Sequence, residues 1–210
     1  YTYLKNAITI TIIEQTNHIL PQIRYKFALE SVEQYSVPII KAIMNYVAAT
    51  SLIELLRYDE AITLLQQGLE HTKKLDVAYF LINKKLGQIY YDKRDEKWVE
   101  YYESAVNNYQ SQWKQDIGPI LELLIEYFEH NGQRLIAEGN YLKASELYKR
   151  YITLHTLLYL KKRYRDIYSK YAANAHTGYI TASLYKHKDN FATIENEYLN
   201  RLSIARMDFD

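Results

Sequence analysis

Six histidines, His18, His71, His130, His155, His176 and His187, are the first residues to test for chemistry. A zinc-holding helix needs two imidazoles one turn apart, with a Glu beside the first to act as base. No pair in this chain has that arrangement. With 0 Cys there is no thiolate ligand, disulfide or cysteine nucleophile, a composition that suits a reducing compartment. Glu126 and Glu129 stand one helical turn apart, close enough for a general acid and base. The same spacing also describes two charges on a groove-lining or solvated helix face, which is the commoner case. No Gly-rich phosphate loop, nucleophile elbow or calcium loop occurs. The residues therefore predict binding rather than catalysis, with no catalytic residue, metal or cofactor expected.

Two stretches could engage macromolecules. LYLKKRYRDIYSKY, 158–171, interleaves Lys161, Lys162, Arg163, Arg165 and Lys170 with tyrosines, as a patch for an acidic partner would. A solvated helix face has the same composition. Trp113 sits among polar residues in YYESAVNNYQSQWKQ and could anchor a partner. The balance of 26 Lys+Arg against 25 Asp+Glu argues against a chain that coats nucleic acid or anionic membrane. The 23 Tyr bury large rings at low entropic cost while keeping a polar tip, so they serve either packing between helices or the wall of a ligand groove.

The elements that must position these residues read as helices throughout. In YDEAITLLQQGLEH the apolar Ala61, Leu64, Leu65, Gly68 and Leu69 recur at three and four, and strand alternation is absent. Only 3 Pro and 6 Gly punctuate the chain, too few for the turn chemistry of sheets. Pro38 and Gly118-Pro119 fall where helices should begin, and Asp76 is placed to cap DVAYFLINKKLGQIYYDK. Nothing approaches the length of an apolar membrane span, and no basic-then-apolar leader opens the chain, so a cytoplasmic protein without membrane contact is expected. Because Tyr1 already lies in a helical pattern, a preceding N-terminal domain is expected too.

Repeats emerge when the polar turns are aligned. LRYDEAI (56–62), EGNYLKAS (138–145) and HKDNFATI (187–194) each set an aromatic, Tyr58, Tyr141 or Phe191, three positions before Ala61, Ala144 or Ile194. One helix earlier stand Ala49, Gly132 and Ala182, all small. A further window carries Gly87, Tyr90, Trp98, Tyr102 and Ala105 around a shorter turn. Small residues on facing helices permit close approach, and the aromatics fill the space between pairs.

This pattern resembles the tetratricopeptide repeat, most closely through Gly132, Leu135, Gly139, Tyr141, Ala144 and Tyr148. The first window has Leu56 where the family has Gly, and the steps between windows exceed the regular period of about 34 residues. Residues 142–187, which contain no Gly or Pro before Gly178, are expected to form two long helices with a turn near 160–166. The resemblance implies a single all-α repeat domain over 1–210, recognisable over about 36–205, wound as a right-handed superhelix of about ten helices. Long, degenerate repeats in a Lys-, Tyr- and Ile-rich chain are also similar to the sensor domains of Gram-positive peptide-pheromone receptors, the Rap, NprR, PlcR, PrgX and Rgg group.

That second resemblance implies a short linear signalling peptide as partner, held on the concave face of the superhelix by side chains from the first helix of each pair. The positions concerned are Tyr46, Thr50, Lys84, Gln88, Tyr91, Glu129, Gln133, His176, Tyr179 and Ser183. Asparagine amides hold the peptide backbone in the family, which adds Asn83 and Asn174, with Asn45 a further candidate by location. For each asparagine a polar residue at a helix edge is the plainer alternative. Output would pass to transcription through a DNA-binding domain before the repeats, or through a homodimer. A generic protein-interaction scaffold and a Rap-type regulator of a response regulator are the competing functions.

Overall fold

The structure is a computed structural model of the 210-residue chain. It describes residues 2–110, 113, 116–160, 165–187 and 196, with side chains described for all of these except 2–6, 155–160 and 165–173. Among the described residues the fold is all α, with nine helices and no strand. Two compact units divide the chain, Tyr1–Gln115 and Asp116–Asp210.

The first unit holds α1 (Thr2–Thr16), α2 (Pro21–Gln34), α3 (Pro38–Glu54), α4 (Tyr58–Glu70), α5 (Val77–Asp92) and α6 (Lys97–Asn107). Helix α3 is its centre. Ala42, Ile43, Val47, Ala48, Ala49 and Leu52 are buried there, more than one face of a helix, because α2, α4 and α5 surround it. Helix α1 lies against α3 and α5. Small residues set the separations. A Cβ on Gly68 of α4 would lie 3.0 Å from Ile82 Cδ1 on α5 and 3.4 Å from Asn45 Cβ on α3. Between α5 and α6 the fit is tighter, since a Cβ on Gly87 would fall 2.2 Å from Tyr102 Cδ1.

The second unit holds α7 (Gly118–Ala137), α8 (Tyr141–Leu160) and α9 (Arg165–Lys186). Its core joins Leu121, Leu124 and Phe128 of α7 to Ala144, Tyr148 and Tyr151 of α8 and Ala175 and Ala182 of α9. Tyr151 is fully buried and stacks on Phe128 with ring centroids 5.4 Å apart. Helices α8 and α9 are the two long helices expected of residues 142–187. The window at 187–194 lies, beyond His187, outside the described residues.

All 3 prolines occupy the first turn of a helix, Pro21 in α2, Pro38 in α3 and Pro119 in α7, where a missing N–H costs nothing. Three of the turns between helices share one form. Leu56 after α3, Arg94 after α5 and Gly139 after α7 have φ of 60°, 56° and 73°. In each, the next residue's N–H reaches five residues back, Arg57 to Leu52 O, Asp95 to Tyr90 O and Asn140 to Leu135 O, at 2.8, 2.9 and 2.8 Å. These are Schellman closures, which satisfy the last carbonyls of a helix at the expense of one left-handed residue. Asp76 does precede α5, but its carboxylate accepts the Lys73 N–H at 2.9 Å and makes no cap bond to the helix.

Arg24 bolts α2 to α3. Its side chain is buried, Nε donates to Ser51 Oγ at 2.7 Å, and a guanidinium nitrogen pairs with Glu54.

Candidate functional site

The site is built from two layers of the second unit, each with one residue from α7, α8 and α9. In the first layer Tyr148 of α8 lies between two glycines. A Cβ on Gly132 of α7 would fall 2.4 Å from Tyr148 Cζ, and one on Gly178 of α9 2.2 Å from Cε1 and Cζ. Only hydrogen fits at either position, so the ring is gripped between the flanking helices. One turn along, Glu129 of α7 meets Tyr151 of α8 and Asn174 of α9. Glu129 Oε1 accepts the Tyr151 hydroxyl at 3.0 Å and the Asn174 Nδ2–H at 2.9 Å. Tyr151 closes this layer from the core, Glu129 is half-buried, and Asn174 is exposed, so the polar layer opens to solvent on the α9 side.

Glu129 also acts on the glycine layer. Burial first, and then the Glu129 charge, push the Tyr148 hydroxyl above its ordinary range.

The remaining residues expected to bind fall in both units. In the second unit Gln133 is exposed and His176 half-buried. Tyr179 and Ser183 are buried, and Lys149 Nζ rests 5.7 Å from the centroid of the Tyr179 ring. The Ser183 hydroxyl has no hydrogen-bond partner among the described residues. In the first unit Tyr46 and Thr50 are half-buried on α3; burial pushes the Tyr46 hydroxyl up to about 12, and Thr50 Oγ1 donates to its own helix at Val47 O, 2.8 Å away. On α5, Lys84 Nζ sits 6.0 Å above the Phe80 ring, and Gln88, exposed, accepts from Lys85 Nζ at 3.2 Å. Tyr91 is exposed and meets Trp98 edge to face.

Asn83 is buried with its Nδ2 donating to Tyr79 O at 2.8 Å, and Asn45 is buried as well. Both lie within the helix packing, away from solvent. Asn174 is the asparagine that reaches solvent while engaged across helices. Its pairing with Glu129 was the part hidden from sequence reading, because the two stand on helices separated by all of α8.

Trp113 is buried against Phe80 and Tyr109, at ring centroid distances of 5.5 and 6.1 Å, so it packs within the first unit rather than offering a surface anchor. The basic stretch 158–171 lies outside the residues whose side chains are described. Among the described residues no group of His, Asp and Glu could hold a metal ion, and no helix is long and apolar enough to cross a membrane.

Compared with known proteins, the chain matches no family model, no curated protein and no solved structure. What it does must therefore be argued from its own residues.

Proposed function

We propose that the chain is a peptide-binding sensor domain whose helix pairs are degenerate tetratricopeptide-like repeats of the right-handed superhelical kind. It takes a short linear signalling peptide against the first helices of its pairs and answers by a shift in helix packing. The observation that carries the reading is the meeting of Glu129 and Asn174 at 2.9 Å on an open rim backed by tyrosines. A carboxylate and a carboxamide there supply the acceptor and the donor that an extended peptide backbone seeks, and the neighbouring rings supply cover for its side chains. Because the polar layer ties α7 to α9 through Asn174, a peptide that competes for Glu129 alters the tie between those helices. The output in this reading is control of transcription in the cytoplasm, through a DNA-binding domain preceding these helices or through a homodimer.

The test is native mass spectrometry of the protein purified from its own host, compared with a Gln133→Ala, Asn174→Ala double variant. A peptide-sized adduct on the first and not on the second is the expected result. No adduct, with a macromolecular partner retained by both forms, would transfer the assignment to a protein-interaction scaffold. One feature favours that second reading: Leu20, Ile23 and Phe27 form an exposed apolar row at helical spacing at the start of α2.

A further inference from the structure

We infer that the Glu129 carboxylate is the seat of a cationic group on the ligand, an ammonium or a guanidinium, which enters from the α9 side and displaces the Asn174 amide from Oε1. This rests on the peptide reading above and names the chemical group that the peptide must carry.

Glu129 differs in its partners from the carboxylates that are ion-paired. The cations Arg24, Arg57, Lys93 and Arg134 are matched to Glu54, Glu60, Asp59 and Glu138. Glu129 is half-buried and stands on a helix packed against two others, yet its donors are a phenol and an amide, both neutral. Among the described residues it makes no ion pair. The two cations nearest in sequence to Tyr151 are directed elsewhere, Lys149 over the Tyr179 ring and Arg150 over the Phe128 ring, each 5.7 Å from the centroid. A half-buried carboxylate with no counter-charge among the described residues favours a cation able to reach it.

The hydrogen bonding leaves capacity for one. Both donors converge on Oε1, so Oε2 has no hydrogen bond from the described residues, and a carboxylate accepts about four. Tyr151 bonds from the buried side and is fixed by its stacking on Phe128. Asn174 bonds from the exposed side and can return its amide to water at little cost. A guanidinium entering there would span both oxygens, and an ammonium would take Oε2 together with the place left by Asn174. Asn174 then serves as a neutral placeholder that keeps the carboxylate oriented until the cation arrives.

The experiment passes a random library of short synthetic peptides over the immobilised full chain and over Glu129→Gln, which keeps the shape and one acceptor oxygen for Tyr151 and Asn174 but not the charge. Peptides retained by the unaltered chain should be enriched in Lys, Arg or a free amino terminus and should lose affinity as salt rises. The same peptides should bind Glu129→Gln at least about tenfold more weakly. Replacing the retained Lys or Arg by norleucine or citrulline should cause the same loss on the unaltered protein, which keeps the test valid should Glu129→Gln fail to fold. Peptides that bind with no cationic enrichment, or that tolerate norleucine and citrulline, would overturn this inference while leaving a peptide receptor in place. If the unaltered chain retains no peptide at all, the receptor reading fails and this one with it.

Discussion

Tyr148 occupies the space that a side chain on Gly178 would need, with a Cβ at that position falling 2.2 Å from two of its ring carbons. The ring cannot yield toward α7, because a Cβ on Gly132 would be 2.4 Å from it on the other side. Gly178→Ala is therefore expected to cost about 1–3 kcal/mol of stability in urea unfolding, as overpacked cores do. Tyr148→Leu in the same chain should return part of that loss by removing the far end of the ring. An additive double variant would show that the ring and the glycine do not meet.

The three Schellman turns make a separate prediction. Leu56 and Arg94 hold left-handed backbone at φ of 60° and 56°, costing roughly 1–2 kcal/mol for a residue with a Cβ. Glycine removes that strain but frees the unfolded chain by roughly 0.5–1 kcal/mol. Leu56→Gly and Arg94→Gly should thus each stabilise by about 0.5–1 kcal/mol in chemical denaturation. Gly139→Ala should destabilise by about 1 kcal/mol, although no atom lies within 4 Å of the added methyl, because the penalty is in the backbone alone.

Arg24 should be worth more than the carboxylate it pairs with. Arg24→Ala removes a buried side chain and its bond to Ser51, and is expected to cost about 3 kcal/mol. Glu54 has a side chain 51% exposed, so Glu54→Gln should cost about 1 kcal/mol or less. Thermal unfolding of the two single variants and their combination would measure the coupling. Equal losses from both would overturn this account.

Alkaline pH should loosen the first unit. Burial holds the hydroxyls of Tyr46 and Tyr102 up to about 12 against an ordinary 10.0, so folded protein keeps these protons after unfolded chain has released them. The stabilisation is complete below pH 10 and is lost as pH rises toward 12, by roughly 1–3 kcal/mol for Tyr102 and less for the more accessible Tyr46. Denaturant midpoints followed across that window should fall in the unaltered chain and fall less in Tyr46→Phe and Tyr102→Phe.

Helices and their starts were readable because prolines and apolar spacing act locally. Gly87, Tyr102, Gly132 and Tyr148 were readable as small and aromatic positions of a recurring spacing, although that spacing did not pair each ring with the glycine it fills. Two features were not. Gly178 was visible only as a break in a long run, since its partner ring stands on the preceding helix and no spacing rule links them. The Glu129–Asn174 bond joins helices that are not consecutive, and its existence depends on the offset between α7 and α9. Sequence spacing carries no information about that offset. Asp76 was likewise legible as the residue before a helix, but not the bond its carboxylate accepts from the Lys73 N–H in place of a cap.

The glycine grip also limits how α9 can move. Were that helix to slide by one turn in either direction, Asn174 or Ala182 would come opposite the Tyr148 ring, in a gap where only hydrogen fits. Axial translation is thus barred, so any displacement of α9 would have to turn about the Gly132–Tyr148–Gly178 layer instead. The layer is a fulcrum, and the polar tie one turn away is a short lever arm on it. In the proposed reading, a ligand that loosens Asn174 would then be felt as a tilt of α9 rather than as a change of register.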